Sequence, residues 1–373
     1  MFVEVHVIQN YALSNLNRDD TGAPKTCDFG GARRARISSQ CLKRAVRTYF
    51  REEEVLPSNQ LSYRTKLLKE ALVQRFTVRG MGGEEAGNLA VAVIEQLGLK
   101  LDKEKTQYLL LLGEQEIDRL AMLGLDHKDV LLGGKKSGKP DKALQTQLLA
   151  ALDGGEAVDL ALFGRMIADK PEKNVDAAVQ MAHAFSTHAV STEFDFYSAV
   201  DDLQRIDAEE GAGAGMLGTT LYNSACYYRY ANVDVDQLRT NLGGNAAHAE
   251  TAVRAFLQGM IHAVPSGKQT ASAAQNPPAL ILVTVREKGL WSLANAFAKP
   301  IRPTGGDDLI TLSGKALMAH FGQLAKMYGT DEIRYAGLAT YLDLEDLPSP
   351  VVAEESVKAL VDAAMGALAA AGR

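Results

Sequence analysis

The chain has 373 residues, 46% of them hydrophobic, 23% charged, with a formal net charge of −6. That supports two or three compact units with a sizeable core and argues mildly against a polyanionic partner. No apolar run approaches the ~20 residues of a membrane-spanning helix, so no membrane partner is expected. Cys27, Cys41 and Cys226 are too few and too scattered for a disulfide framework or a zinc site.

Residues 2–8 alternate, with Val3, Val5 and Val7 on one face and Glu4 and His6 on the other, the pattern of a half-buried strand. The same opening lacks a basic n-region, so no signal peptide is expected and the protein is expected to be cytoplasmic, with reduced thiols. Residues 9–36 have no apolar period and contain Gly22, Pro24, Gly30 and Gly31, which predicts a long irregular loop. Ser38 and Ser39 then open a helix whose apolar stripe is Leu42, Ala45, Val46, Tyr49 and Phe50. Lys43, Arg44, Arg47 and Arg51 fall on its other side.

The charge is concentrated here. Between positions 25 and 51 stand eight basic side chains and one acidic one, Asp28, which leaves +7 in this segment and −13 in the rest of the chain. A solvated basic helix face has the same residue types. Confinement of the positive charge to one stretch of an acidic protein favours an anion-binding footprint.

Residues 57–188 read as helical, with stripes at Leu67, Leu68, Ala71 and Leu72, at Leu89, Ala90, Val93, Ile94 and Leu97, at Leu109, Leu112, Ile117 and Leu120, and at Leu144, Leu148, Leu149 and Leu152. A basic loop at 133–142 interrupts them. Its Gly133-x-x-x-x-Gly138-Lys139 resembles the start of a phosphate-binding loop, but Pro140 stands where a Mg²⁺-reaching Ser or Thr is needed. Lys135, Lys136, Lys139 and Lys142 are available instead to touch a phosphate backbone.

Residues 189–235 are rich in Phe and Tyr around a Gly/Ala-rich stretch at 211–215, which predicts a projecting hairpin with a flexible tip. Gly213-x-Gly215-x-x-Gly218 matches the dinucleotide fingerprint only by letter, because no strand-to-helix context surrounds it. A helix with Ala252, Phe256, Met260 and Ile261, a central strand at 279–285 and a further strand near 334–341 follow. The order is β-α-β-β-α-β once the helical block is set aside, a ferredoxin-like pattern shared by RNA-recognition domains. No HExxH, nucleophile elbow or Cys–His arrangement occurs. Asp201-Asp202 could hold a metal as nuclease carboxylates do, although adjacent Asp side chains point differently and are more often a solvated pair; metal-dependent RNA cleavage there is the alternative function.

Several motifs together resemble one family. Asn17-Arg18-Asp19-Asp20, Lys25, Phe29-Gly30-Gly31 and the run from Arg33-Arg34 through Ser38-Ser39-Gln40 to Leu42-Lys43-Arg44 closely resemble CasC, the RNA-backbone subunit of the type I-E CRISPR Cascade complex. Gly164-Arg165-Met166, Ala199-Val200-Asp201-Asp202-Leu203, Tyr228-Arg229-Tyr230-Ala231-Asn232, Asn241-Leu242-Gly243-Gly244 and Leu293-Ala294-Asn295-Ala296-Phe297 extend the match in the right order.

The resemblance implies a non-catalytic, antiviral RNA-binding scaffold with no cofactor and no metal. It implies an α+β fold: a modified ferredoxin-like (RRM-like) palm formed by 1–56 and 221–373, helical fingers at 57–188, and a projecting β-hairpin thumb at 189–220. Copies of the chain would line up head to tail on CRISPR RNA, beside CasA, CasB, CasD and CasE, and present the guide in segments to target DNA. Carried over by position, the RNA-binding set is Asn17, Lys25, Arg34, Ser38, Gln40, Lys43, Arg44, Arg47, Met166, Phe196, Tyr197, Leu217 and Lys268. Lys299 and Arg302 fall near a basic pair that guides DNA. The family's first wedge position can be Trp; here it is Phe196. Backbone contacts of this kind carry no sequence information, which suits a holder of any guide.

Overall fold

The computed structural model describes residues 1–133, 141–199, 216–303, 306–344 and 346–371. The chain divides into two compact units, one made of 1–48, 181–232 and 256–373, the other of 49–180 and 233–255.

The first unit is built on a mixed sheet. Its strands are β1 (Phe2–Ser14), β2 (Thr26–Phe29) and β3 (Ala32–Ile37), then, after helix α1 (Ser39–Glu52) and the second unit, β9 (Ala184–Ser186), β10 (Glu193–Ala199), β11 (Met216–Asp234), β12 (Leu280–Arg286), β13 (Ile333–Thr340) and β14 (Val352–Ala353). The strand order is β14-β13-β12-β1-β11-β9-β3-β2, with β10 paired to β11 off this path. β12 is buried along its whole length, as its continuous apolar run predicts. It lies antiparallel between β1 and β13.

β1 runs six residues past the alternating stretch, and Glu4 and His6 are buried with it. The sequence placed them on a wet face. In the fold, that face packs against the segment carrying Leu293 and Phe297 and against α11 (Leu309–Tyr328), whose Leu317, Met318 and Phe321 join Ile8, Leu280 and Leu282 in one core. Glu4 is satisfied by Tyr230 (2.8 Å), the Trp291 N–H (2.8 Å) and Thr284 (3.0 Å), with Arg286 as its ionic partner. The other elements of this unit include α10 (Gln269–Ser272) and α12 (Val357–Ala371).

Residues 9–36 are not one irregular loop. They complete β1 and form the β2–β3 hairpin, in which Phe29 pairs with Ala32. Gly30 and Gly31 both have positive φ, 60° and 73°, the two-residue turn that matches strand twist. The Gly-Gly pair was the overlooked hairpin signal.

The second unit is mainly helical. It contains α2 (Leu68–Val78), α3 (Gly83–Gln96), α4 (Glu114–Asp126), α5 (Lys128–Leu132), α6 (Lys142–Ala150) and α7 (Val158–Phe163), and it takes in α8 (Val235–Asn241) and the first part of α9 (Ala246–His262). The family resemblance assigns these last two to the palm. Asn241 donates to the carbonyls of Ala161 and Asp176, and the Asp234 N–H donates to Ala178, which joins α8 to this unit.

The apolar stripes converge as expected on a core of Leu72, Phe76, Leu89, Val93, Ile94, Ile117, Leu120 and Leu148. Two departures from a purely helical block are the strand pairs β4 (Ser62–Thr65) with β7 (Leu110–Gly113) and β5 (Leu101–Asp102) with β6 (Lys105–Thr106). Leu109, assigned to a stripe, is exposed. The end of the block is also extended, through β8 (Val179–Met181) and β9.

Candidate nucleic-acid interface

Helix α1 begins as its sequence predicts. Ser38 caps it, its hydroxyl accepting from the Cys41 N–H at 3.3 Å. Leu42, Val46 and Phe50 are buried, Arg44 is exposed, and Lys43 and Arg47 are half-buried. Partial burial lowers the Lys43 pKa. Arg51 leaves the basic row: it donates to the Ser62 carbonyl at 3.1 Å and lies 4.9 Å over the Tyr63 ring.

The loop before β2 is drawn to the start of this helix. The Asn17 carboxamide oxygen accepts from the Ser38 N–H at 2.8 Å, and the Lys25 N–H donates to the Asn17 carbonyl at 2.9 Å. Burial raises the Cys41 thiol pKa, opposed by Lys25 and Arg44, which both lie close enough to act on it. Gly267 backs onto the Leu16 carbonyl so closely that a Cβ would lie 2.3 Å from it, which sets exposed Lys268 beside the same loop. Asn17, Lys25, Ser38, Gln40, Lys43, Arg44, Arg47 and Lys268 therefore gather in one region of the first unit, with Asn17 and Ser38 holding backbone and exposed Gln40 facing solvent.

Arg34 is a correction. Its guanidinium is fully buried and donates to the carbonyls of Phe29 (3.2 Å), Ser186 (3.0 Å) and Phe297 (2.8 Å). It ties β3 to its neighbours and has no surface left for a phosphate. Arg33 and Arg34 are adjacent on β3 and point to opposite faces, so that Arg34 is buried while Arg33 is exposed.

Phe196 and Tyr197 lie on β10, every residue of which is exposed. β10 pairs antiparallel with β11 from Glu193↔Tyr222 to Ala199↔Met216. Adjacent strand residues point to opposite faces, so Phe196 and Tyr197 cannot act on one surface. Phe196 pairs with Thr219 and shares its face with Phe194, and position 217 pairs in register with Ser198. Tyr197 covers its partner Gly218, where a Cβ would come within 2.4 Å of the ring.

Met166, in the second unit, is 79% exposed. Its neighbour Arg165 is buried; its Nη1 donates to both carboxylate oxygens of Glu116 at 2.8 Å, and its other nitrogens donate to the carbonyls of Leu152 and Lys173. The Gly164-Arg165-Met166 motif thus anchors one side chain and presents the next.

Lys299 and Arg302 are exposed, in the segment whose Ala298 carbonyl abuts Gly30. Lys142 is exposed and opens α6, capped by Asp141, and so belongs to a helix, not to the loop. Lys135, Lys136, Lys139, the Asp201-Asp202 pair and the 211–215 stretch lie outside the described residues. Among the described residues, no cluster of three or more His, Cys, Asp or Glu could hold a metal, and no helix is long and apolar enough to cross a membrane.

One residue of this region was missed. His183 Nδ1 accepts from the Ser39 N–H at 2.9 Å. The two stand 144 positions apart, and nothing in the sequence pairs them.

The profile of the CT1975-like protein family matches residues 3–363. A solved chain described as "CRISPR RNA-guided surveillance complex, pre-nicking" is 34% identical over 98% of this chain and 100% of that one, with a TM-score of 0.88. A second, described as "CRISPR RNA-guided surveillance complex", is 29% identical over 98% of this chain and 100% of that one, with a TM-score of 0.76. No curated protein gives a significant match. The chain belongs to the CT1975-like protein family, in agreement with its CasC resemblance.

Proposed function

We propose that the chain is a non-catalytic subunit of a CRISPR RNA-guided surveillance complex that holds guide RNA by its phosphate backbone. The observation that carries this is the convergence of Lys25, Lys43, Arg44, Arg47 and Lys268 with exposed Gln40 around the start of α1, in a protein whose remaining sequence is acidic. Lys and Arg side chains bind phosphates without reading bases. The sheet supports a ferredoxin-like palm: β1, β9, β11 and β12 stand in the order β12-β1-β11-β9, the 4-1-3-2 order of that pattern.

The β10–β11 arms act as the thumb, with Phe196 as the wedge that fills the place of a displaced base. Unstacking a base costs a few kcal/mol, which an aromatic platform offsets. Met166 acts from the fingers. Several copies assemble head to tail on one RNA with other Cascade subunits, and Lys142, Lys299 and Arg302, with Lys135, Lys136 and Lys139, meet target DNA.

The test is the double variant Lys43→Ala/Arg47→Ala. It is expected to fold, to bind single-stranded RNA more weakly, and to lose about 0.7 from the slope of log affinity against log salt for each phosphate contact removed. Wild-type affinity and slope at both low and high salt would refute phosphate binding by this face.

A further inference from the structure

The Ser39–His183 hydrogen bond has a chemical consequence for this region. A neutral imidazole has one N–H and one acceptor nitrogen, and the partner of one nitrogen determines the state of the other. The Ser39 amide can only donate, so Nδ1 must be the acceptor. The proton is therefore on Nε2. That nitrogen has no hydrogen-bond partner among the described residues, and the side chain is exposed. The ring sits where Lys25 and Arg36 act on it: burial lowers its pKa, with Arg36 and then Lys25 adding to the effect. A ring that accepts the Ser39 N–H through Nδ1 is neutral, since an imidazolium has no acceptor nitrogen.

We propose that His183 is a guide-RNA contact residue that offers its Nε2–H as a neutral, oriented donor to a phosphate oxygen held between Lys25 and the first turn of α1. This rests on the proposal that the region binds RNA phosphates. A neutral donor on a fixed ring contributes direction where flexible lysines contribute charge. It also occupies the Ser39 amide, which leaves the ring, not the bare helix end, facing the ligand.

The chemistry separates this role from a merely structural one. Asn at position 183 can place its carboxamide oxygen where Nδ1 stands and still accept from Ser39, but it has nothing at the Nε2 position. His183→Asn in the full-length protein should melt as wild type does and bind a fluorescently labelled single-stranded RNA of mixed sequence about tenfold more weakly, the size of a lost hydrogen bond to a charged group. Its salt slope should be unchanged, because a neutral donor releases no counterion. Wild-type affinity in His183→Asn, or a loss accompanied by a shallower slope, would overturn the assignment. If Lys43→Ala/Arg47→Ala weakens binding while His183→Asn does not, only the His183 role falls. If neither does, the phosphate site itself falls.

Discussion

At the residue scale, burial decides what a polar side chain does. His6 is fully buried, its ring 5.0 Å from that of Tyr230. The Leu293 N–H donates to the Tyr228 hydroxyl at 2.9 Å, which leaves the hydroxyl proton for His6 Nδ1 at 3.0 Å. Burial, with Arg286 nearby, lowers the His6 pKa to about 3. Between pH 6.5 and about 3 the unfolded chain therefore binds a proton that the folded ring refuses. Stability from this group is fully present above pH 6.5 and falls as pH drops, by about 1.4 kcal/mol per unit. Glu4, whose pKa is raised by burial, acts with the opposite sign, so the comparison must isolate His6. His6→Asn should lose about 2 kcal/mol less stability than wild type between pH 7 and pH 5, read from urea midpoints at each pH.

The Arg165–Met166 pair divides stability from binding in the same way. Arg165→Met strands Glu116 in the core and should cost about 3–5 kcal/mol. Met166→Ala should leave the melting temperature within a degree or two of wild type and reduce RNA protection. Equal melting temperatures for the two variants would contradict the anchoring role.

At the element scale, the β2–β3 hairpin shows how a turn positions a surface. Gly30 and Gly31 both need left-handed backbone, but only Gly30 lacks space. A Cβ there would lie 1.6 Å from the Ala298 carbonyl oxygen, whereas Gly31 has nothing within 4 Å. Gly31→Ala should cost about 1–2 kcal/mol, the left-handed penalty alone. Gly30→Ala should cost clearly more, because the segment leading to Lys299 must also move. Chemical denaturation of both variants tests the ordering, and equal losses would mean that the turn and the 298 segment are not packed in solution. The β10–β11 arms teach a related lesson: two neighbouring aromatics on one strand serve opposite faces, so Phe196 and Tyr197 must have different jobs.

At the scale of the whole molecule, the proposed phosphate-binding face predicts more than one copy per RNA strand. The identical face can recur wherever the phosphate chain continues. Co-expression with CRISPR RNAs of increasing length should give complexes whose mass rises in steps of about one chain of this protein plus its RNA segment, measured by native mass spectrometry. A constant single copy at every length would count against a repeating backbone subunit.

The sequence by itself determined the local elements and the charge. The periodicity from Ser39 onward specified α1 and its buried stripe, the apolar run at 279–285 specified the central strand, and the confinement of +7 to one segment singled out the region proposed to bind phosphates. These are properties of neighbours in the chain, and near neighbours carry their own geometry. What only the tertiary structure decided depends on partners far apart in sequence. Arg34 is buried because carbonyls from Ser186 and Phe297 surround it. Glu4 and His6 are core residues because a segment nearly 290 positions later covers their face. His183 joins α1 because the sheet brings residue 183 to residue 39. No local pattern encodes these meetings, since the energy that fixes them, the satisfaction of buried polar groups, exists only once the chain has closed on itself.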